Sequence, residues 1–145
     1  MDLTFIRQGY EDRALNKDDL NPDPIIQFES WFEDAKEAEP IPTAMSLTTV
    51  GNNGRPTLRT VLLKLFDKKG FVFYTNYKSR KADDITDNPN VAILFNWVAS
   101  ERQVSITGVA EKIKTGESTK YFMSRPRGSQ LGAWVSDQSS VLSSR

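Results

Sequence analysis

Residues 44–76 read AMSLTTVGNNGRPTLRTVLLKLFDKKGFVFYTN, and here the hydrophobic period of the chain changes from helical spacing to alternation. Three apolar segments, AMSLTTV, RPTLRTVLLKLF and FVFYTN, are separated by the short turn sequences GNNG and DKKG. Turns of this length and composition connect antiparallel strands. The stretch therefore predicts three antiparallel strands joined by two hairpins.

Two more strands are predicted further along the chain. They are NVAILFNW at 90–97 and RQVSITGVAEKI at 102–113, connected by the short polar link VASE. A short helix over residues 79–88 precedes them. Five strands with hairpin-length connections and few helices favour an antiparallel barrel or sandwich over a parallel α/β sheet. The fold class is therefore predicted to be mainly β, with flanking helices.

The segment before the first strand, DPIIQFESWFEDAKEAEP, predicts an α-helix. Asp23 suits the N-cap and Pro24 the first turn, and two further prolines, at 40 and 42, end the helix. The apolar residues that share one face at helical spacing are Ile25, Phe28, Trp31 or Phe32, and Ala35. We interpret this face as a packing surface.

Length and composition indicate one globular domain. The chain has 145 residues, of which 38% are hydrophobic and 26% charged, and this is enough to bury one core. Residues 1–22 are polar and lack a periodic pattern, so we expect an N-terminal arm there and the domain at 23–145. No apolar run could span a bilayer, and the N-terminus lacks the apolar region of a signal peptide. We therefore expect a cytoplasmic protein with no membrane partner.

The absence of two residue types excludes several kinds of chemistry. The chain has no cysteine and no histidine. Disulfides, thiolate catalysis, zinc–cysteine sites and a histidine base are therefore excluded, and so are most transition-metal sites. We predict no metal site.

The net charge of zero conceals an uneven distribution. Residues 1–40 carry 11 acidic and 4 basic side chains, whereas residues 41–145 carry 8 acidic and 15 basic ones. One interpretation is a solvated acidic lead-in beside an ordinary body. The other is that the basic part binds an anion, either nucleic acid or a phosphorylated small molecule.

The stretch YTNYKSRKADDI at 74–85 contains the first candidate site. Ser79, Arg80 and Lys81 begin the predicted helix, where unpaired N–H groups and the helix dipole favour an anion. Two cations are unfavourable in that field unless a phosphate occupies it. The alternative is an ordinary exposed helix whose charge is compensated by three acidic residues: Asp83, Asp84 and Asp87.

A second basic cluster, KYFMSRPRGSQ, lies further along the chain. Tyr121 and Arg125 are four residues apart and are therefore neighbours on one helical face. Together with Ser129, that face could hold a second phosphate through charge-assisted bonds. The alternative is a solvent-facing basic turn. Two such clusters suggest two phosphorylated ligands, one a cofactor and the other a substrate.

Other polar residues lie on predicted strands or loops. In RTVLLK, Arg59 and Lys64 are five residues apart, so they point to opposite faces of their strand. The alternative role for them is that of edge-strand charges that oppose aggregation. Gln103 and Gln138 could donate hydrogen bonds to a planar heterocycle.

Nucleic acid is the rival explanation for basic residues interleaved with aromatic ones. However, the cations come in tight groups rather than in a continuous stripe, and the aromatic residues alternate as core positions do. There is no Walker-type glycine loop and no dinucleotide-binding fingerprint. We therefore expect phosphorylated small molecules rather than nucleic acid.

Five stretches together resemble the pyridoxine (pyridoxamine) 5′-phosphate oxidase family in order and spacing. They are RTVLLK, FVFYTNYKSRKADDI, NPNVAILFNW, ERQVSITGVAEKI and KYFMSRPRGSQLGAWVSDQSS. The resemblance runs from Tyr10 to Ser140, and the last motif is highly specific. It implies an FMN-binding split β-barrel of Greek-key-like antiparallel strands, and a homodimer with FMN at the subunit interface.

The resemblance also implies which residues hold the two ligands. The residues at the family's FMN-binding positions are Arg59, Thr60, Val61, Leu62, Leu63, Lys64, Tyr74, Thr75, Ser79, Arg80, Lys81, Gln103, Gln138 and Ser139. Those at its substrate-binding positions are Lys64, Tyr121, Arg125, Ser129, Arg7 and Tyr10. Gly9 stands where the family has a charged residue.

The implied reaction is the oxidation of pyridoxine 5′-phosphate or pyridoxamine 5′-phosphate to pyridoxal 5′-phosphate, a step of vitamin B6 metabolism. A hydride passes to FMN, and O₂ reoxidises the flavin and is released as H₂O₂. The flavin carries the chemistry, so the resemblance implies no catalytic side chain. The protein holds two phosphates so that the reacting atoms meet.

The family continues past the point at which this sequence stops, with a segment that makes further FMN and substrate contacts. The sequence therefore leaves open a second function, a non-catalytic or weakly active barrel that binds flavin or pyridoxal phosphate. A third function, a different flavin-dependent reductase on the same barrel, is opposed by the substrate-phosphate cluster at Tyr121–Ser129.

Overall fold

A computed structural model describes residues 15–114, together with residues 3, 4, 9, 116, 123 and 126–128. The helices and strands are a 3-10 helix at Lys17–Asp19, α1 at Pro24–Ala38, β1 at Ala44–Val50, β2 at Pro56–Asp67, β3 at Gly70–Phe73, α2 at Arg80–Asp87, β4 at Asn90–Trp97 and β5 at Arg102–Val109. No helix in this described part of the chain combines the length and the apolar character that a membrane span requires.

The described residues form two compact units. The first contains the chain up to Pro42 together with Trp97–Gln103, and the second contains Thr43–Asn96 and the described residues from Val104 onward. The first unit therefore holds α1 and the link between β4 and β5. The second holds β1, β2, β3, α2 and most of β4 and β5.

Helix α1 begins and packs as its sequence predicts. The carboxylate of Asp23 accepts a hydrogen bond from the N–H of Ile25 at 2.9 Å, which caps the helix. Phe28 and Ala35 are buried. The Phe28 ring lies 5.6 Å from that of Trp97, and the indole N–H of Trp97 donates to the carbonyl of Pro42 at 2.9 Å. These contacts make the small core of the first unit.

The strands form a five-stranded sheet in the order β3-β2-β1-β4-β5. Strand β1 pairs antiparallel with both β2 and β4, and β2 pairs antiparallel with β3. Residues 98–101 connect β4 to β5, and this link is too short for the crossover that parallel neighbours need. Because β4 returns past β2 to lie beside β1, the topology is Greek-key-like. The predicted mainly β, antiparallel architecture is confirmed.

Within the second unit the sheet curves strongly. The rings of Phe71 on β3 and Phe95 on β4 lie 6.3 Å apart, although β2 and β1 separate these strands in the sheet. A flat sheet would hold strands three positions apart at about 14 Å. The inner face thus folds over a core that includes Met45, Leu47 and Leu63, all almost fully buried.

Two predicted strands are shorter in the structure. Strand β3 ends at Phe73 rather than Asn76, because Asn76 forms a turn in which its carbonyl accepts from the N–H of Ser79 at 3.1 Å. Strand β5 ends at Val109 rather than residue 113, because its partner β4 begins only at Asn90. The helical face predicted for Tyr121 and Arg125 lies outside the described residues.

Candidate functional site

Alternation along β2 sends its side chains to two different faces. Arg59, Val61 and Leu63 are half-buried or buried, whereas the residues between them are exposed. Lys64 is exposed, on the face opposite to Arg59, as the odd spacing predicts. The strand therefore carries Arg59 to the inner face of the sheet and Lys64 to the outer one.

The guanidinium of Arg59 is held by three acceptors from the neighbouring strand and its own. Its Nη1 donates to the carbonyl of Leu47 at 3.1 Å and to the hydroxyl of Thr49 at 2.8 Å. Its Nη2 donates to the hydroxyl of Thr57. Leu47 lies directly opposite Arg59 in the β1–β2 register, so strand pairing itself brings these acceptors to the guanidinium.

The carboxylate of Asp84, on α2, is buried next to the guanidinium of Arg59. Its Oδ2 accepts hydrogen bonds from Thr49 at 2.7 Å and from Thr57 at 3.0 Å. The same oxygen lies 3.8 Å from Nη2 of Arg59. The hydrogen bond from Thr49 lowers the pKa of Asp84 most, burial opposes this, and Thr57 together with the nearby Arg80 and Arg59 lowers it further.

The interpretation of Asp84 as a compensating charge on an exposed helix is wrong. Asp84 is buried, with 8% of its surface exposed, and its partners are on β1 and β2 rather than on α2. Asp83 and Asp87 are exposed as that interpretation requires. The carboxylate therefore belongs to the interior of the site.

The first turn of α2 contributes a buried ammonium group. Nζ of Lys81 donates to the hydroxyl of Thr75 at 3.0 Å and to that of Ser79 at 3.2 Å, and the side chain is only 8% exposed. Ser79 occupies the N-cap position without capping the helix. Instead its hydroxyl donates to the carbonyl of Asn76 at 2.6 Å, which leaves an oxygen lone pair for Lys81.

Three cations influence one another at this point. Burial lowers the pKa of Lys81, and the positive charge of Arg59 lowers it further. Burial also lowers the pKa of Arg59; Asp84 opposes that effect, and Arg80 adds to it. An anion at the start of α2 would interact favourably with these cations through charge as well as through hydrogen bonds.

A phosphate ester fits this group of donors. An arginine and a lysine are both partly or fully buried here, beside the N-terminal end of a helix whose first N–H groups favour anions. The charged donors present, a guanidinium and an ammonium, are those that bind phosphate oxygens in proteins. The terminal phosphate of FMN is such an ester, so the residues present fit that end of the cofactor.

The structure brings together five of the residues implied to bind FMN: Arg59, Thr75, Ser79, Arg80 and Lys81. The others are distributed elsewhere. Thr60, Leu62 and Lys64 are exposed on the outer face of β2, Leu63 is buried in the core, Val61 and Tyr74 are half-buried, and Gln103 is exposed on β5 in the first unit. Residues outside the described part of the chain are Arg7, Tyr10, Tyr121, Arg125, Ser129, Gln138 and Ser139.

Sequence reasoning did not identify Thr49, Thr57 or Asp84 as part of the site. Thr49 and Asp84 are 35 residues apart in the chain, and Thr57 and Asp84 are 27 apart. Threonines are common in strands, so neither hydroxyl stands out. The one available signal is that Thr57 and Arg59 share a face of β2.

Comparisons with known proteins show which family this chain resembles. The family model described as pyridoxamine 5′-phosphate oxidase matches residues 32–145. The pyridoxine/pyridoxamine 5′-phosphate oxidase of Crocosphaera subtropica is 60% identical over 146 aligned positions, covering 100% of this chain and 68% of that protein. The oxidase of the same name from Aliarcobacter butzleri is 58% identical, with 100% and 69% covered.

Two crystal structures share the fold. PhzG from Burkholderia lata 383, in complex with tetrahydrophenazine-1-carboxylic acid, has a TM-score of 0.84 and 26% identity, over 92% of this chain and 67% of that one. A pyridoxamine 5′-phosphate oxidase-related, FMN-binding protein from Nostoc punctiforme has a TM-score of 0.61 and 20% identity, over 79% and 64%. The predicted split β-barrel class is thereby confirmed. With a family model that matches most of its length and relatives of such high identity, this chain belongs to the pyridoxamine 5′-phosphate oxidase family.

Proposed function

We propose that this chain binds FMN and oxidises pyridoxine 5′-phosphate or pyridoxamine 5′-phosphate to pyridoxal 5′-phosphate, with O₂ as acceptor and H₂O₂ as the second product. The observation that carries the proposal is the buried Lys81 beside Arg59 at the start of α2. In a chain of this family, a buried lysine beside a half-buried arginine is best explained by a phosphorylated cofactor.

The chain's own residues have a binding role in this proposal. Lys81 and Arg59 hold the cofactor phosphate from the inner side of the sheet, and exposed Arg80 approaches it from the solvent side. FMN, when bound, supplies the hydride acceptor and the reaction with O₂. No side-chain nucleophile is required, which is compatible with a chain that has no cysteine or histidine.

The remaining predicted contacts complete the proposal. We assign the rest of the cofactor contacts to Thr60–Lys64, Tyr74, Thr75, Ser79, Gln103, Gln138 and Ser139. We assign the substrate phosphate and the segment that covers it to Lys64, Tyr121, Arg125, Ser129, Arg7 and Tyr10. Because Lys64 points away from Arg59 on β2, the two phosphates would be held from different faces of this strand.

A homodimer is part of the proposed function. The outer face of β2 exposes two leucines, Leu58 by 67% and Leu62 by 41%, and Leu65, which follows an irregularity in the β2–β3 pairing, is 55% exposed. Apolar side chains in such a row are commonly covered by a partner. We propose that a second copy covers this face, that FMN lies at the interface, and that residues 23–145 form the FMN-binding domain of a cytoplasmic enzyme.

The proposal is tested with protein reconstituted with FMN. Under anaerobic conditions, pyridoxine 5′-phosphate should bleach the visible flavin absorbance, and subsequent addition of O₂ should restore it with release of H₂O₂. Pyridoxine without its phosphate is the matched control and should bleach the flavin far more slowly. Protein that binds no FMN would refute the proposal, and protein that binds FMN without bleaching would be a flavin-binding barrel rather than this oxidase.

A further inference from the structure

We infer that Asp84 is a positioning residue for the phosphate site. Acting through the hydroxyls of Thr49 and Thr57, it holds the Arg59 guanidinium in a single orientation that leaves two N–H donors available for a phosphate. The nature of the ligand rests on the proposed function, whereas the positioning itself rests on the geometry of these four side chains.

The direction of the hydrogen bonds follows from counting protons. An ionised carboxylate is an acceptor only, so Thr49 and Thr57 must each donate their single hydroxyl proton to Asp84. Each hydroxyl oxygen then presents lone pairs, which accept the bonds from Nη1 and Nη2 of Arg59. Each threonine therefore donates to the carboxylate of Asp84 and accepts from the guanidinium of Arg59.

The same count shows which donors of Arg59 remain. A guanidinium has five N–H donors. Three of them are used, by Leu47, Thr49 and Thr57. The N–H of Nε and the second N–H of Nη2 make no hydrogen bond to any residue in the described part of the chain. The hydroxyl oxygens of Thr49 and Thr57 lie 3.1 Å apart, so both face the edge between Nη1 and Nη2. The two remaining donors then form the adjacent edge of the planar group, the geometry that binds two phosphate oxygens at once.

Asp84 is itself held in place from its other side. A Cβ added at Gly51 would lie 2.6 Å from Oδ1 of Asp84, so the glycine lets the β1–β2 turn approach the carboxylate closely. In the same turn, Asn52 donates to Asp87 at 2.8 Å. Helix α2 is therefore fixed to the β1–β2 hairpin at two points, and the carboxylate has little freedom to move.

If Asp84 acted through its charge alone, its effect on phosphate binding would have the opposite sign. A negative group near an anion site repels the anion, so loss of its charge would strengthen phosphate binding if Asp84 served only as a countercharge. If Asp84 positions Arg59, loss of the carboxylate lets a threonine hydroxyl turn and releases the guanidinium, and phosphate binding weakens. The two roles therefore predict changes of opposite sign.

The test compares FMN with riboflavin, which lacks the phosphate. Dissociation constants for both are measured by flavin fluorescence for the wild-type protein, for Asp84→Asn and for Thr57→Val, which removes one hydroxyl without changing shape. Asp83→Asn is the matched control, because it removes the same charge at an exposed position on the same helix.

We expect Asp84→Asn to weaken FMN binding by about tenfold, the loss typical of one charged hydrogen bond, with riboflavin binding unchanged. Thr57→Val should act in the same direction and less strongly, and Asp83→Asn should leave the ratio of the two constants as in the wild type. In an Arg59→Met background, Asp84→Asn should have no further effect on that ratio.

Equal loss of FMN and riboflavin binding in Asp84→Asn, or tighter FMN binding, would overturn the positioning role. A wild-type protein that binds neither flavin would instead refute the proposed function. In that case the rise in unfolding temperature caused by inorganic phosphate is measured in the same variants. A smaller rise in Asp84→Asn than in Asp83→Asn would support the inference, and an equal rise would overturn it.

Discussion

Lys81 shows how burial and charge oppose each other within this site. Its folded-state pKa lies below the ordinary value of 10.5, because of burial first and of Arg59 second. For a base with a lowered pKa, the charged form costs stability at every pH below the folded-state value, and the cost is relieved as the pH rises through that value. A bound anion offsets the same cost, so ligand binding and stability are linked at this side chain.

Lys81→Met should therefore reduce the stabilisation of the protein by the phosphate group of FMN. The methionine keeps the apolar stem but removes both the charge and the bonds to Thr75 and Ser79. We expect the rise in unfolding temperature with FMN to shrink, with an affinity loss of about tenfold. Lys78→Met, at an exposed position two residues before the helix, is the control and should respond as the wild type does. Equal responses of the two variants would contradict the role of Lys81.

Asp84 should make the protein sensitive to acid. Its folded-state pKa lies below the ordinary value of 3.8, so its carboxylate contributes stability that is fully present above 3.8 and lost as the pH falls from 3.8 through the folded-state value. In urea unfolding from neutral pH to below 3.8, Asp84→Asn should lose less stability over the acidic range than the wild type. Asp83→Asn should follow the wild-type slope, and a common slope for all three proteins would exclude this contribution.

The helices and strands follow from local signals that the sequence carries openly. Asp23 and Pro24 mark the start of α1, and alternation marks β1 over the same seven residues that the structure assigns to it. The third strand was predicted too long because its aromatic pattern continues through Tyr74, whereas the turn at Asn76 depends on backbone hydrogen bonds. Periodicity therefore predicts the elements better than it predicts where they end.

The interior of the site could be predicted only in part, because its partners come from different elements. The positive charge at Arg80 and Lys81 is visible in the sequence, and these two residues begin α2 as the sequence predicts. The burial of Asp84 is not visible there, because it depends on how α2 packs on β1 and β2. An aspartate in a run of acidic residues, ADDITD, reads as solvated until its distant threonine partners are known.

The close contact between the β1–β2 turn and α2 can be tested through its glycine. Gly51→Ala places a methyl group 2.6 Å from Oδ1 of Asp84, so the carboxylate must shift and the protein should lose about 1–3 kcal/mol of unfolding free energy. Gly108→Ala on β5 is the control, because a Cβ there meets nothing within 4 Å. Urea unfolding that gave equal stability for the two variants would contradict the close packing of α2 on this turn.

At the scale of the whole molecule, the exposed leucines of β2 are the feature that bears on assembly. Leu58 and Leu62 alternate along the outer face, where no described residue buries them. In a protein that worked as a monomer, this apolar row would be a liability for aggregation. The proposed homodimer accounts for it by burying the row against a second copy.

Substitution of both Leu58 and Leu62 by Glu should therefore dissociate the dimer. Light scattering coupled to gel filtration should give twice the chain mass of 16.4 kDa for the wild type and the single-chain mass for the variant. Val98→Glu, at an exposed apolar position outside β2, is the control and should remain dimeric. A monomeric wild type would contradict the dimer itself, and a dimeric double variant would place its interface elsewhere.

A crystal structure of the protein with bound FMN would show where the cofactor phosphate lies. We expect its oxygens within about 3 Å of Nζ of Lys81 and of the free edge of the Arg59 guanidinium, at hydrogen-bonding distance. An ordered flavin whose phosphate is bound elsewhere, with no phosphate oxygen in contact with Lys81 or Arg59, would contradict the assignment of this cation pair to the cofactor.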